Sequence, residues 1–461
     1  MTVAADAEIA ANRFGLGARA GELALLGSGA REALLSQLKG PAPLIGQPLK
    51  SSREVLAAAI DLRQERREAK AAVDAVQVAM KVRQLYAPVY VEEVLARFRA
   101  AVSTDQSFIE RLVQFWSNHF AVSVDKVAVL GVAGAMEREA IRPHVLGNFT
   151  DMLLAVERHP AMLLYLDNQA STGPHSQAAL ALERRGSSRS VGLNENLGRE
   201  ILELHTLGVD GGYSQQDVTT LAAIITGWSV GNTARGPRGG TPGEFFFREA
   251  LHEPGSKNLL GRTYRQDGRE QGEHALRDLA VHPRTARHLA TKLARHFIAD
   301  EPPAAAVQRI ERAYVESRGD LPTTYRALLQ CPEGWNPQAA KFKTPRDYVY
   351  SVYRALALPV GGERRDLAPF ELLGQRSFQP GSPAGYPDRS VDWDGSSALL
   401  KRIEWASALG QRLGSKVDAL QLADAALGST LSAATRNGVE RAQDGAQALT
   451  LLLACPEFMR R

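Results

Sequence analysis

The chain has 461 residues, of which 55 are basic and 51 acidic, giving a net charge of +4. That imbalance is too small for the concentrated basic stripe that nucleic-acid binding needs, and no DNA- or RNA-reading motif is present. Apolar residues make up 44%, enough to bury a substantial core, and the abundance of Ala, Leu and Arg favours helix over sheet. The two cysteines, Cys331 and Cys455, stand far apart, which excludes a disulfide framework or a Cys-based zinc site and leaves each as a small buried hydrophobe.

Met1–Arg19 lacks a basic start followed by a long apolar stretch, and no run of about 18 apolar residues occurs in the chain. A cytoplasmic protein with no membrane span is the expectation. A helix is predicted near Ala20–Leu38, then a Pro-rich stretch, Pro41–Pro48. Arg53–Leu85 carries spaced apolar residues among charges and reads as one or two long helices ended by Pro88. Its basic run Arg63–Lys70 reads as a solvated helix face, with a basic binding face as the sharper alternative.

Helices follow over Val89–Val102, Gln106–Phe120, Val132–Val145 and Asp151–Val156, with Pro160 at the first position of Ala161–Leu166. Residues 168–193 read as a polar loop. The next helix spans Asn194–Leu207 and stops at Gly208. Ser214 with Asp217 forms a capping box that opens a helix over Gln215–Thr226. An irregular insertion over 228–268 contains two short strand candidates, Phe245–Arg248 and Thr263–Gln266, as one small hairpin. Helices resume over Glu273–Val281, Arg284–Ile298, Ala304–Glu316, Thr323–Leu329 and Pro345–Ala355. After a Pro/Gly/Tyr loop, Gln379–Asp388, they end with the run Ser396–Leu453. The expected fold is mainly α, a multi-helical single body over 1–461 with a small β-hairpin and loop insertion.

The leading chemical candidate is the helix Asn194–Leu207. At about 100° per residue, Glu195, Asn196, Arg199, Glu200 and Glu203 share an arc of roughly 140°, opposite Leu197, Ile201 and Leu204. A carboxylate crowded by others has its pKa raised and can donate a proton, whereas one beside Arg199 stays ionised. Such a pair suits glycosidic bond cleavage, and the same oxygens suit Ca²⁺ or Mg²⁺, although no cofactor is required. The plainer readings are an amphipathic helix facing water or a structural ion-pair network. His205 on this helix and Tyr213 and Asp217 beyond it are binding candidates, and Trp116, Trp228 and Tyr213 are candidate platforms for a sugar ring.

Weaker signals stand elsewhere. Phe115–Phe120 sets His119 and Asn118 beside aromatics, although such a His is more ordinarily a core residue than a ligand. Arg284–Ile298 carries Arg284, Arg287, Lys292 and Arg295 with His288 and His296 and could meet an anion, with a solvated basic face as the plain reading. Lys343-Thr344-Pro345-Arg346 and His252-Glu253-Pro254-Gly255-Ser256-Lys257 are polar turns able to line a pocket. No zincin, Walker or nucleophile-elbow motif is present.

Several long motifs in order resemble one family. They are Arg13-Phe14-Gly15-Leu16-Gly17-Ala18, Phe115-Trp116-Ser117-Asn118-His119-Phe120, Arg142-Pro143-His144, His159–Asn168 and Asn194-Glu195-Asn196-Leu197-Gly198-Arg199-Glu200. The last continues through Glu203–Gly208 to Thr226-Gly227-Trp228. Together they resemble the bacterial domain of unknown function family numbered 1800, from near residue 10 to Cys455-Pro456-Glu457-Phe458. Members often carry a larger residue where Gly198 stands, which predicts a helix weakened there by about 1 kcal/mol relative to Ala. The resemblance carries no settled activity. It does imply a partner, because members are often encoded beside a second family that resembles sulfatases and alkaline phosphatases.

Two expectations result. One is a hydrolase or lyase acting on a polar polymer such as a glycan through Glu195, Glu200 or Glu203, with Arg199 holding one carboxylate ionised. The other is a non-catalytic accessory or scaffold that binds the phosphatase-like partner. The first needs the three glutamates and Arg199 to face a shared hollow.

Overall fold

The computed structural model describes residues 3–68, 75–186, 192–231, 239–338 and 340–461, with side chains from residue 5 onward except over 63–79. The basic run Arg63–Lys70 therefore lies outside the described side chains. The fold is mainly α, with two small two-stranded antiparallel sheets. No described helix is long and apolar enough to cross a membrane.

The helix starts follow from local chemistry. Pro283, Pro160 and Pro345 each occupy a first helical position, where the missing N–H is not needed. The preceding residues His282, His159 and Thr344 cap them, accepting from Arg284 N at 3.1 Å, Ala161 N at 3.1 Å and Asp347 N at 3.2 Å. The capping box of Ser214 and Asp217 opens the helix Gln215–Ile224.

Four sequence expectations need correction. Pro88 does not end a helix but sits inside Ala75–Ser103. A proline there forfeits one backbone bond, and burial of Tyr86 and Val89 beside it holds the helix together. The stretch 168–193 is not one loop, because it contains the helix Gln177–Arg184 capped by Ser176. The predicted helix Ala20–Leu38 is interrupted by the 3-10 turn Gly27–Gly29, where Gly27 takes φ +44°. The strand candidates do not pair with each other: Phe245–Phe247 (β2) pairs with Trp228–Val230 (β1), and Arg262–Tyr264 (β4) pairs with Lys257–Leu259 (β3).

Two apolar cores form. One gathers Phe14, Phe108, Leu112, Trp116, Phe149, Ile201, Leu221, Leu293, Tyr325 and Trp335 from the first three quarters of the chain. The other gathers Phe98, Tyr348, Val352, Phe370, Trp405, Leu449 and Phe458. Tyr90 and Phe378 pack against both. Cys331 and Cys455 are both buried and free.

Within the first core runs a buried chain of ions. Arg142 donates to both oxygens of Glu110 at 2.6 and 2.7 Å and to Glu137 at 3.1 Å, and Glu137 meets Arg97 at 2.8 Å. All four side chains are at most 2% exposed. Removing one partner from such a set strands the others in low dielectric. Glu110→Gln should cost about 3–5 kcal/mol in chemical denaturation; a loss below about 1 kcal/mol would show that the fork contributes little.

Candidate functional site

The glutamate face forms, but as a half-exposed network. Glu195 accepts from Thr219 Oγ1 at 2.8 Å, Gln215 Nε2 at 2.8 Å and Arg199 Nη2 at 3.1 Å. Arg199 also donates to Gln215 Oε1 at 2.9 Å and meets Glu203 at 3.6 Å. Hydrogen bonds from Thr219 and Gln215, with Arg199, hold Glu195 below its ordinary pKa. Burial, reinforced by Glu203 and Glu157, raises Glu200. The predicted split between two carboxylates is therefore present in direction.

The helical arc does not run as drawn. Asn196–Glu200 is α-helical, but Ile201–His205 is a π turn. The wider turn rotates later residues away from α spacing. Gly198 reverses its expected role, since a Cβ there would lie 2.9 Å from Ala222 N. The glycine permits close approach of the helix Gln215–Ile224 and does not simply loosen its own helix.

The other candidates scatter. Asp217 is committed to Ser214 and to the Leu260 N–H at 2.9 Å. Tyr213 is half-buried, and burial beside Glu203 raises its phenol to about 12. Asn196 is exposed. His205 is fully buried, with Nδ1 2.7 Å from Glu157. Trp116 and Trp228 are both 0% exposed, so neither can offer a ring to a sugar; Trp116 Nε1 donates to Tyr325 Oη at 2.6 Å. Among the described residues no cluster of His, Cys, Asp or Glu has metal-ligating geometry.

Of the residues proposed to serve the glutamate site, only His119 lines a cavity of about 290 Å³ that lies elsewhere in the fold, where it is joined by the weaker candidates Asn118, Lys292, Arg295, His296, Thr344 and Arg346. Four separated segments supply most of the cavity wall, and Gln375 adds one residue from a fifth. The helix Ser107–His119 supplies Gln114, Phe115, Asn118 and His119. Lys292, Arg295 and His296 come from Pro283–Phe297. The start of Pro345–Ala355 supplies Arg346 and Asp347, and the loop 384–392 adds Tyr386, Asp388 and Arg389. The loop is pinned: Tyr386 N donates to Asn118 Oδ1 at 2.8 Å, and Asn118 Nδ2 donates to Tyr386 O at 2.9 Å. Gly385 between them takes φ +82°, and a Cβ there would stand 2.3 Å from Asn118 O, so glycine is required.

Two of the wall's own acids, Asp347 and Asp388, are satisfied. Asp347 meets Arg111 and Arg461, each at 3.3 Å. Burial would raise its pKa, but Arg111, Arg461 and Arg346 hold it well below the carboxylate range. Asp388 accepts from His296 Nδ1 at 3.0 Å and meets Lys341 at 3.5 Å. The cations are satisfied unevenly: Arg389 meets Glu301 at 3.1 Å and Arg295 Nε donates to the Asp300 carbonyl at 3.2 Å, but Arg346 is left over. Arg346 is 9% exposed, its Nε has no partner, and burial lowers its pKa. Both amide atoms of Gln114, which is 2% exposed, also lack partners. Burial lowers Lys292 to about 8 and drives His119 well below, and His288 and His296 to about 4.

Local signals pointed at these parts singly: the aromatic-His segment, the basic helix, the Lys-Thr-Pro-Arg turn and the Pro/Gly/Tyr loop. Nothing in the sequence joined them. Gln114, Lys341, Gln375 and Arg461 carried no local signal.

A family model described as protein of unknown function (DUF1800) matches residues 9–460, nearly the whole chain. No curated protein and no solved structure matches it.

The histidines give a pH dependence with a definite sign. His288 titrates near 4 in the fold, against about 6.5 when unfolded, and His119 is shifted the same way. Between those values the unfolded chain binds protons that the fold refuses, so stability falls as pH drops from about 6.5 towards 4. Thermal melts across this window should show the decline, and His288→Gln, whose amide can still donate to the Leu204 carbonyl, should make it shallower, with His119 and His296 supplying what remains. A wild-type midpoint that stays level would refute the burial argument.

Proposed function

The chain belongs to this family of unknown function, and we propose that it binds a small anionic ligand, bearing a phosphoryl, sulfo or carboxylate group, in the cavity walled by Arg346, Lys292 and Gln114. The observation that carries this reading is Arg346, a buried guanidinium whose Nε has no partner at a cavity wall. A buried charge without a counter-charge costs several kcal/mol, and proteins keep such a cost where function requires it. The neighbouring acids offset it only in part: Asp347 lies in its field but makes its ion pairs with Arg111 and Arg461, and Asp388 makes its own with His296 and Lys341. A bidentate anion would supply the missing acceptors, and Phe115 and Tyr386 would cover its apolar part.

Titration calorimetry with phosphate, sulfate and small carboxylates should detect binding. Arg346→Met should weaken it by about tenfold or more, the scale of one charged hydrogen bond, and should leave the fold equally or more stable. Arg389→Met, at an exposed position, should change affinity far less. Absence of binding by every anion, or an unaltered affinity in Arg346→Met, would overturn the reading.

A second reading keeps the acid/base platform on the glutamate face, for hydrolysis or elimination on a polar polymer. The opposite pKa directions of Glu195 and Glu200 favour it. In this reading Glu200 donates the proton and Glu195 remains ionised. Assayed on a polysaccharide panel, Glu200→Gln should lose most turnover; full activity in that variant, or none in the wild type, counts against it.

A further inference from the structure

Lys292 stands one turn before His296 on the helix Pro283–Phe297 and lines the same cavity as Arg346. Among the described residues no hydrogen bond or ion pair engages its Nζ. The other two lysines of this region are differently placed. Lys341 is committed to Asp300 at 2.8 Å and to Asp388. Lys343 is buried over the Phe458 ring, 4.7 Å from its centroid, and does not line the cavity. Lys292 is thus the cavity-facing amine without a partner.

The groups around it come from three sides. Arg295 and His288 lie on its own helix, His119 on Ser107–His119 and Asp388 on the loop 384–392. Burial lowers the amine to about 8, with Asp388 opposing and Arg295 adding to the shift. At neutral pH about one molecule in ten then carries a free amine, against about one in three thousand for an ordinary lysine. Desolvation beside other cations is how lysines become nucleophiles.

We propose that Lys292 captures a carbonyl: it condenses with the aldehyde or keto group of a small anion whose charge Arg346 holds. This rests on the anion-binding reading above. The Nζ lone pair adds to the carbonyl carbon, the C–O π pair moves to oxygen, and that oxygen takes up the proton the nitrogen releases. Loss of the hydroxyl with the remaining nitrogen proton then gives C=N and one water, with no change of oxidation state. His119, kept neutral by burial and with Nδ1 unpartnered, stands near as a proton acceptor.

The test uses the full chain, glyoxylate or pyruvate as the carbonyl probe, and cyanoborohydride to fix the imine for peptide mass spectrometry. One dominant adduct should fall on Lys292, with a labelling rate rising through a midpoint near 8. Excess phosphate should suppress it, Lys292→Arg should abolish it, and Arg346→Met should slow it by about tenfold or more. Labelling no faster at Lys292 than at the exposed Lys81, Lys401 and Lys416 would overturn the proposal. If phosphate binds and Lys292 stays unlabelled, the carbonyl chemistry fails and anion binding stands. If no anion binds, both fail.

Discussion

Most deeply buried charge in this protein is answered by an opposite charge or by backbone carbonyls, and that sets the meaning of the places where it is not. Arg142, Glu110, Glu137 and Arg97 answer one another in the first core. Arg354 spends its guanidinium on Glu22 and on the backbone carbonyls of Gly17, Ala101, Val102 and Thr104. Burying a guanidinium is tolerable only when its donors find acceptors. Arg13, Arg97, Arg142 and Arg461 also leave an Nε without a hydrogen bond; Arg346 differs in that, among the described residues, no hydrogen bond or ion pair engages its guanidinium and that it shares one hollow with the unengaged amine of Lys292.

The hollow exists because four segments far apart in sequence are tied by a second layer of ions. Arg461 reaches Asp347 and lies 4.0 Å from Asp388, and its Nη1 donates to the His296 carbonyl at 2.9 Å. One side chain therefore fixes the relative position of the helix Pro283–Phe297, the start of Pro345–Ala355 and the loop 384–392. Such outer contacts orient the groups that face a ligand.

Much of the secondary structure was legible because its determinants are local. Ala304–Glu316 and Pro345–Ala355 have the limits that their apolar spacing and flanking residues predict. The misses have physical causes. Pro88 stays helical because tertiary burial outweighs one lost bond, and the strand partners were misassigned because pairing is set by a connection of fourteen residues between Val230 and Phe245 rather than by a tight turn. The glutamate face was legible as a pattern, but whether a face meets a cavity depends on what packs across from it. His119 was legible as an aromatic-flanked histidine; its role beside Lys292 and Arg346 depends on contacts across more than 170 residues of chain, which no periodicity encodes.

The loop 384–392 carries one further implication. It is fastened to Asn118 through Tyr386, to Lys341 and His296 through Asp388, and to Phe342 N and Asp300 through Ser390. So many anchors leave little room for alternative loop states, and a visiting molecule meets a receptacle already in its binding shape. Its affinity is then not diluted by a population of incompetent conformers, and selectivity among visitors is decided by fit at the wall and not by any act of folding around them.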